Sequence, residues 1–141
     1  MLPGRGVLMG IVRQTKRSVV HFAHGDFRRC AIMDKHLREL ASKHYEARFV
    51  KVDVESAPFL VERLAVRVLP CVIAFVDGKG VGRIEGFEVL GNTDDFRTAD
   101  LERELVSLGV LEREKIGEEE GRSRREVEKK YEQEDSGDDW D

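Results

Sequence analysis

The chain reads as an α/β domain with elements in the order β α β α β β α, followed by a charged C-terminal tail. Three observations predict this. A β-branched and aromatic run, Ser18 to Ala23, is bounded by polar residues like a buried strand. Directly after it, Cys30, Met33, Leu37 and Leu40 fall at i, i+3, i+7 and i+10, the stripe of an amphipathic helix. Farther on, the most hydrophobic run of the protein, Leu69 to Val76, meets Asp77-Gly78-Lys79-Gly80, a turn whose glycines can take positive φ.

The remaining elements follow in order. After the turn His24 to Arg29, the first helix is expected to end near His44. Arg48 to Val54 alternates Phe49, Val50, Val52 and Val54 with Lys51 and Asp53, a second strand. Ser56 is a candidate cap for a helix beginning near Pro58, with Phe59, Leu60 and Leu64 on its apolar side. Pro70 stands at the start of the central strand, and the hairpin partner is expected over Val81 to Glu85. Thr98 is a candidate cap for a last helix carrying Leu101, Leu105 and Leu108, which Gly109 would close in a left-handed conformation.

With 141 residues there is room for one hydrophobic core and a tail. The two cysteines, Cys30 and Cys71, are too few for a disulfide scaffold, which fits a reducing compartment, most simply the cytoplasm. Residues 1–17 form a short N-terminal segment whose apolar run, Val7 to Val12, is broken by Gly10 and is too short for a signal peptide. No stretch approaches the length of a membrane helix, so no membrane association is expected. From Glu112 onward 13 acidic residues stand against 7 basic ones, net −6, which leaves the first 111 residues at +2. That tail would repel nucleic acid, and the body offers no dense basic stripe. Residues 112–141 hold only Ile116, Val127, Tyr131 and Trp140 as sizeable apolar groups, so a disordered acidic tail is expected beyond a domain spanning 18–111. Ser136, set among acids, has the surroundings of an acidophilic phosphorylation site.

Chemistry is sparse. Dithiol exchange needs an exposed thiolate to attack and a second thiol to resolve the mixed disulfide, and no CxxC is present. Cys30 lies at a helix N-terminus beside Arg28 and Arg29, which favours thiolate, yet it also opens the stripe that Met33 and Leu37 carry into a core, which opposes it. Cys71 is either a core residue or a partner for Cys30, the latter only if the two Cα atoms come within roughly 7 Å. His21, His24, His36 and His44 have no metal-ligand spacing, and neither a nucleophile elbow nor a phosphate-binding glycine loop occurs, so no metal or cofactor is expected.

Two stretches resemble a known fold. VVHFAHGDFRRC is similar to the active-site segment of thioredoxins, and VLPCVIAFVDGK to their cis-proline strand and following turn. The resemblance implies a thioredoxin-like fold, a mixed central sheet with helices on both faces. It places Phe27 where the attacking cysteine would be, Cys30 at the resolving position, His21 where thioredoxins keep a buried acid, and a cis peptide bond before Pro70. A vestigial peptide groove would then involve Phe27, Leu69 and Cys71 as contacts around Pro70, unless Phe27 packs down over the old site.

Three longer stretches, VDVESAPFLVERLAVRVLP, EGFEVLGNTDDFRTADLERELVSLGVL and KKYEQEDSGDDWD, resemble the phosducin-like branch of thioredoxin-fold proteins. This resemblance implies a non-catalytic, monomeric cochaperone that binds the cytosolic chaperonin CCT/TRiC and modulates folding of actin and tubulin. The alternative from another class is a monothiol redox protein or sensor using Cys30. The branch carries a helical segment ahead of the domain that MLPGRGVLMGIVRQTKRS does not match, so a shortened N-terminus is expected.

Overall fold

A computed structural model of the chain describes residues 5–121. The sheet has four strands in the order β2-β1-β3-β4, with β1 Arg17–Ala23, β2 Arg48–Asp53, β3 Cys71–Val76 and β4 Lys79–Glu85. β1 runs parallel to β2 and antiparallel to β3, and β3 runs antiparallel to β4. The mixed sheet follows from the connections: a helix links β1 to β2, whereas a two-residue turn links β3 to β4. In that turn Asp77 (φ 52°) and Gly78 (φ 82°) take the left-handed conformation. Gly80, expected to share that role, is already in β4 opposite Phe75.

Side-chain alternation along β1 divides the core. Val20 and Phe22 pack with Leu8 and Val12 of α1 (Arg5–Gln14), Leu60 of α3 (Pro58–Arg63), Cys71 and Ile73. Val19 joins Met33, Leu37 and Leu40 of α2 (Arg28–Lys43), Leu101 and Leu105 of α4 (Thr98–Ser107), Val72 and Ala74 on the other face. Helices therefore cover both faces. α1 was not legible from its apolar run, yet Leu8 and Val12, one turn apart, are both buried, and each such residue contributes about 1.5–3 kcal/mol. β4 lies so close under the end of α4 that a Cβ on Gly82 would sit 2.4 Å from Leu108 Cδ2, a contact that the Leu108 side chain would have to move to relieve.

Two expected caps move by one residue. Ala57, not Ser56, is the N-cap of α3, and Asp53 caps the preceding 3-10 turn by accepting from the Glu55 N–H at 2.9 Å. Arg97, not Thr98, is the N-cap of α4; its N–H donates to Asp100 at 2.9 Å, while the Thr98 hydroxyl bonds His36 Nδ1 at 2.6 Å.

The packed body also extends beyond Leu111. Ile116 is buried, and residues 116–121 are helical. The cause is Glu102, a fully buried acid on α4. Its carboxylate accepts the N–H groups of Lys115, Ile116 and Gly117, each at 3.0 Å, and so caps that helical segment from outside. His44 holds the carboxylate at 2.6 Å and Glu46 at 2.8 Å, and Lys115 Nζ reaches Glu46 at 3.1 Å and the Lys43 carbonyl at 3.0 Å. The expectation of a wholly disordered tail from Glu112 is thereby corrected for residues 112–121. Its remainder, with Ser136, lies outside the described residues.

Candidate functional site

Four chain segments meet at one end of the sheet. Phe22 pairs with Cys71 and Cys71 with Glu85, so the loop before β3, the loop after β4 and the start of α2 share the end where β1 finishes. β2 runs parallel to β1 and delivers Asp53 and Glu55 there too.

The turn into α2 is built by backbone: the Phe27 N–H donates to the His24 carbonyl at 3.1 Å, and the Phe27 carbonyl accepts from Cys30 N–H at 3.0 Å. Phe27 is the N-cap of α2 and remains 48% exposed, with its ring edge-on to His24 at 5.5 Å. His24 Nδ1 accepts the Asp26 N–H at 3.0 Å, which leaves Nε2 to face Glu55 at 2.7 Å. The Glu55 carboxylate pushes the His24 pKa up, favouring imidazolium.

Cys30 is buried as a free thiol. Burial pushes its pKa up, outweighing a backbone hydrogen bond at His24 and the charge of Lys51. Thiolate is disfavoured, and with it nucleophilic attack. Arg28 and Arg29, expected to help that thiolate, are directed elsewhere. Arg29 Nε donates to Asp94 at 2.9 Å and Nη1 to the Asn92 side chain at 3.1 Å, with the guanidinium 4.6 Å above the Phe87 ring. Arg28 lies 3.6 Å from the same Asp94. The string GFEVLGNTDDF is thus a clasp on the first turn of α2. Phe87 and Phe96 anchor it edge to face at 4.8 Å, and left-handed Gly91 and Asn92 turn it back.

Leu69 is half-buried, Pro70 is buried, and the peptide bond between them is cis. Cys71, expected as a contact, has no exposed surface, because its register between Phe22 and Glu85 puts its side chain inside the sheet's core. Burial likewise pushes its thiol pKa up, and it is free. Phe59 (53% exposed) and Val68 (45%) also carry apolar surface on the segments that follow β2 and precede β3. A cleft of about 360 Å3 is lined instead by residues such as Val54, Pro58, Val61 and Arg67, and includes neither Phe27, Cys30 nor Pro70.

Sequence reasoning missed the Asp94 clasp as a partner of Arg29, although the string holding it had been singled out. It also missed that His21, read only as a substitute for a buried acid, faces Asp34 at 3.8 Å. Among the described residues no group of three or more His, Cys, Asp or Glu could hold a metal ion, and no helix is long and apolar enough to cross a membrane.

Comparison with known proteins adds a relationship. The chain is 46% identical over 106 residues to thioredoxin domain-containing protein PLP3A of Arabidopsis thaliana, covering 75% of this chain and 46% of that protein. It is 45% identical over 100 residues to human thioredoxin domain-containing protein 9, covering 71% and 44% respectively. It is 42% identical over 101 residues to phosducin-like protein 3 of Dictyostelium discoideum, covering 72% and 55%. The chain thus spans about half the length of the curated relatives it matches. No protein-family model matches it. Among solved structures, mitochondrial thioredoxin 3 of Saccharomyces cerevisiae superposes with a TM-score of 0.64 at 24% identity, over 75% of this chain and 92% of that one. That likeness shows a thioredoxin fold.

Proposed function

We propose, from a domain that belongs to the phosducin-like branch of thioredoxin-fold proteins, that this chain works by binding other proteins and not by thiol chemistry. In this reading it is a cytoplasmic cochaperone that associates with the cytosolic chaperonin CCT/TRiC and modulates the folding of actin and tubulin. The observation that carries the reading is the inversion at the start of α2, where an exposed Phe27 stands in the attacker's place and the remaining thiol, Cys30, is buried. An aromatic ring at an exposed helix start is suited to anchoring a partner, because aromatic residues dominate binding energy at interfaces. The same inversion disfavours the monothiol redox reading, whose thiol would have to be accessible and readily ionised.

The test is association of the purified chain with purified chaperonin, followed by native electrophoresis and by light scattering during actin refolding. The chain is expected to migrate with the chaperonin, and Phe27→Ala to weaken that association about tenfold or more. Absence of comigration at micromolar concentrations, or equal association by Phe27→Ala, would contradict the proposed surface.

A further inference from the structure

His24 follows β1 directly and opens the turn His24-Gly25-Asp26-Phe27. Its Nδ1 accepts the Asp26 N–H at 3.0 Å. An amide can donate only to a bare ring nitrogen, so the neutral imidazole carries its hydrogen on Nε2 and donates it to Glu55 Oε1 at 2.7 Å. The imidazolium carries hydrogen on both nitrogens. It would keep the Glu55 bond, now charge-assisted, but would set its Nδ1–H against the Asp26 N–H, donor against donor. One proton therefore strengthens the bond at one end of the ring and breaks the bond at the other.

The turn is built to answer that conflict. Asp26 Oδ2 already lies 3.8 Å from Nδ1, a short movement from accepting its hydrogen. A Cβ on Gly25 would meet nothing beyond its chain neighbours within 4 Å, so the Gly25–Asp26 peptide, whose N–H must turn away, has both open space and the most permissive backbone. Phe27 is tied to the same histidine twice, through its N–H to the His24 carbonyl at 3.1 Å and through its ring, edge-on to the imidazole at 5.5 Å. We propose that His24 is a proton-operated switch in this turn: a proton taken from solvent at Nδ1 exchanges the Asp26 N–H···Nδ1 bond for an Nδ1–H bond to the Asp26 carboxylate and re-aims the exposed Phe27 ring. Among the described residues the charged groups that act on His24 are Glu55, Asp26 and Asp53, all acidic, and they hold its pKa above the ordinary 6.5. The arrangement seen here, with Nδ1 bare, belongs to the alkaline side of that midpoint, and histidine is the side chain that ordinarily changes charge near neutral pH. As a control on partner binding the switch rests on the Phe27 contact proposed above; as a rearrangement of the turn it stands by itself.

NMR of the isotope-labelled full chain between about pH 5.5 and 9, where Asp26 and Glu55 stay ionised, tests the switch. The nitrogen–nitrogen scalar coupling across the Asp26 N–H···Nδ1 bond is expected on the alkaline side and is lost on the acid side. The Asp26 amide and the Phe27 ring resonances should move with the midpoint of the His24 ring. His24→Gln should abolish those movements. Glu55→Gln should lower the midpoint at His24, Asp26 and Phe27 together, and it carries the test should His24→Gln perturb the fold. A coupling that survives protonation of the ring, Asp26 and Phe27 resonances that do not follow the His24 midpoint, or an unchanged Phe27 titration in His24→Gln would overturn the proposal. Every readout is internal to the turn, so these outcomes are independent of whether the chain associates with the chaperonin.

Discussion

His21 and His44 are equally hidden from solvent, at 2% and 0% exposure, and lie on the two neighbouring elements β1 and the C-terminal end of α2. Their surroundings are opposite. His44 faces a carboxylate at each ring nitrogen, Glu46 at 2.8 Å and Glu102 at 2.6 Å, and through Glu102 it fastens residues 115–117 to the body. His21 has no hydrogen-bond partner, and burial drives its pKa down to about 4 despite Asp34 nearby. Such an unsatisfied group costs about 1–3 kcal/mol. Burial alone therefore does not say whether a histidine stabilises the fold; the bonding around the ring does.

Removing the carboxylate that the His44 site depends on should have the largest effect. Glu102→Ala leaves His44 with one partner and three backbone N–H groups with none, so unfolding in urea should show a loss of about 3–5 kcal/mol. Hydrogen exchange at the amides of Lys115, Ile116 and Gly117 should accelerate before the rest of the domain opens. Retained protection at those amides would mean that the capping carboxylate does not hold the segment.

Acid should separate the two histidines next. The folded state binds a proton at His21 only near pH 4, whereas the unfolded chain binds it near 6.5. Stability attributable to this group is therefore complete above pH 6.5 and lost progressively as pH falls toward 4, about 3 kcal/mol in all. His21→Leu should abolish that slope and be as stable as the parent or more so at neutral pH, measured by urea midpoints across pH. A distinct second loss belongs to the His44 network. Bonds from His44 and Lys115 overcome burial and hold Glu46 down to about 2, so its contribution is present above about 4.5 and disappears as pH falls through that interval. A smaller effect is expected of Lys115→Met, which removes the bonds to Glu46 and the Lys43 carbonyl from a partly exposed site. Thermal denaturation should register about 1 kcal/mol.

Much of the fold was legible because its signals are local. The stripe from Cys30 to Leu40, the alternation around Lys51 and Asp53, and the Asp77-Gly78 turn each act within a few residues. The helix α1 is obscured in the sequence because Gly10 interrupts the apolar run, although a Cβ there would meet no atom of another element within 4 Å. What joins distant residues left no trace. Glu102 reads as an exposed helix acid until His44, 58 residues earlier, is seen beside it. Cys71 looked like a contact because it follows Pro70, but strand register, set by pairing with Phe22, turned it inward. Arg28 and Arg29 suggest thiolate activation in the sequence, but Asp94, brought back by the loop, draws both toward itself.

We propose that this scaffold serves protein binding in place of disulfide chemistry. Turnover of insulin disulfides by the purified chain, with a small thiol as reductant, tests it most directly. The expected result is a rate indistinguishable from that of the thiol alone, identical for the parent and for Cys30→Ser. A rate well above that background, abolished by Cys30→Ser, would contradict it.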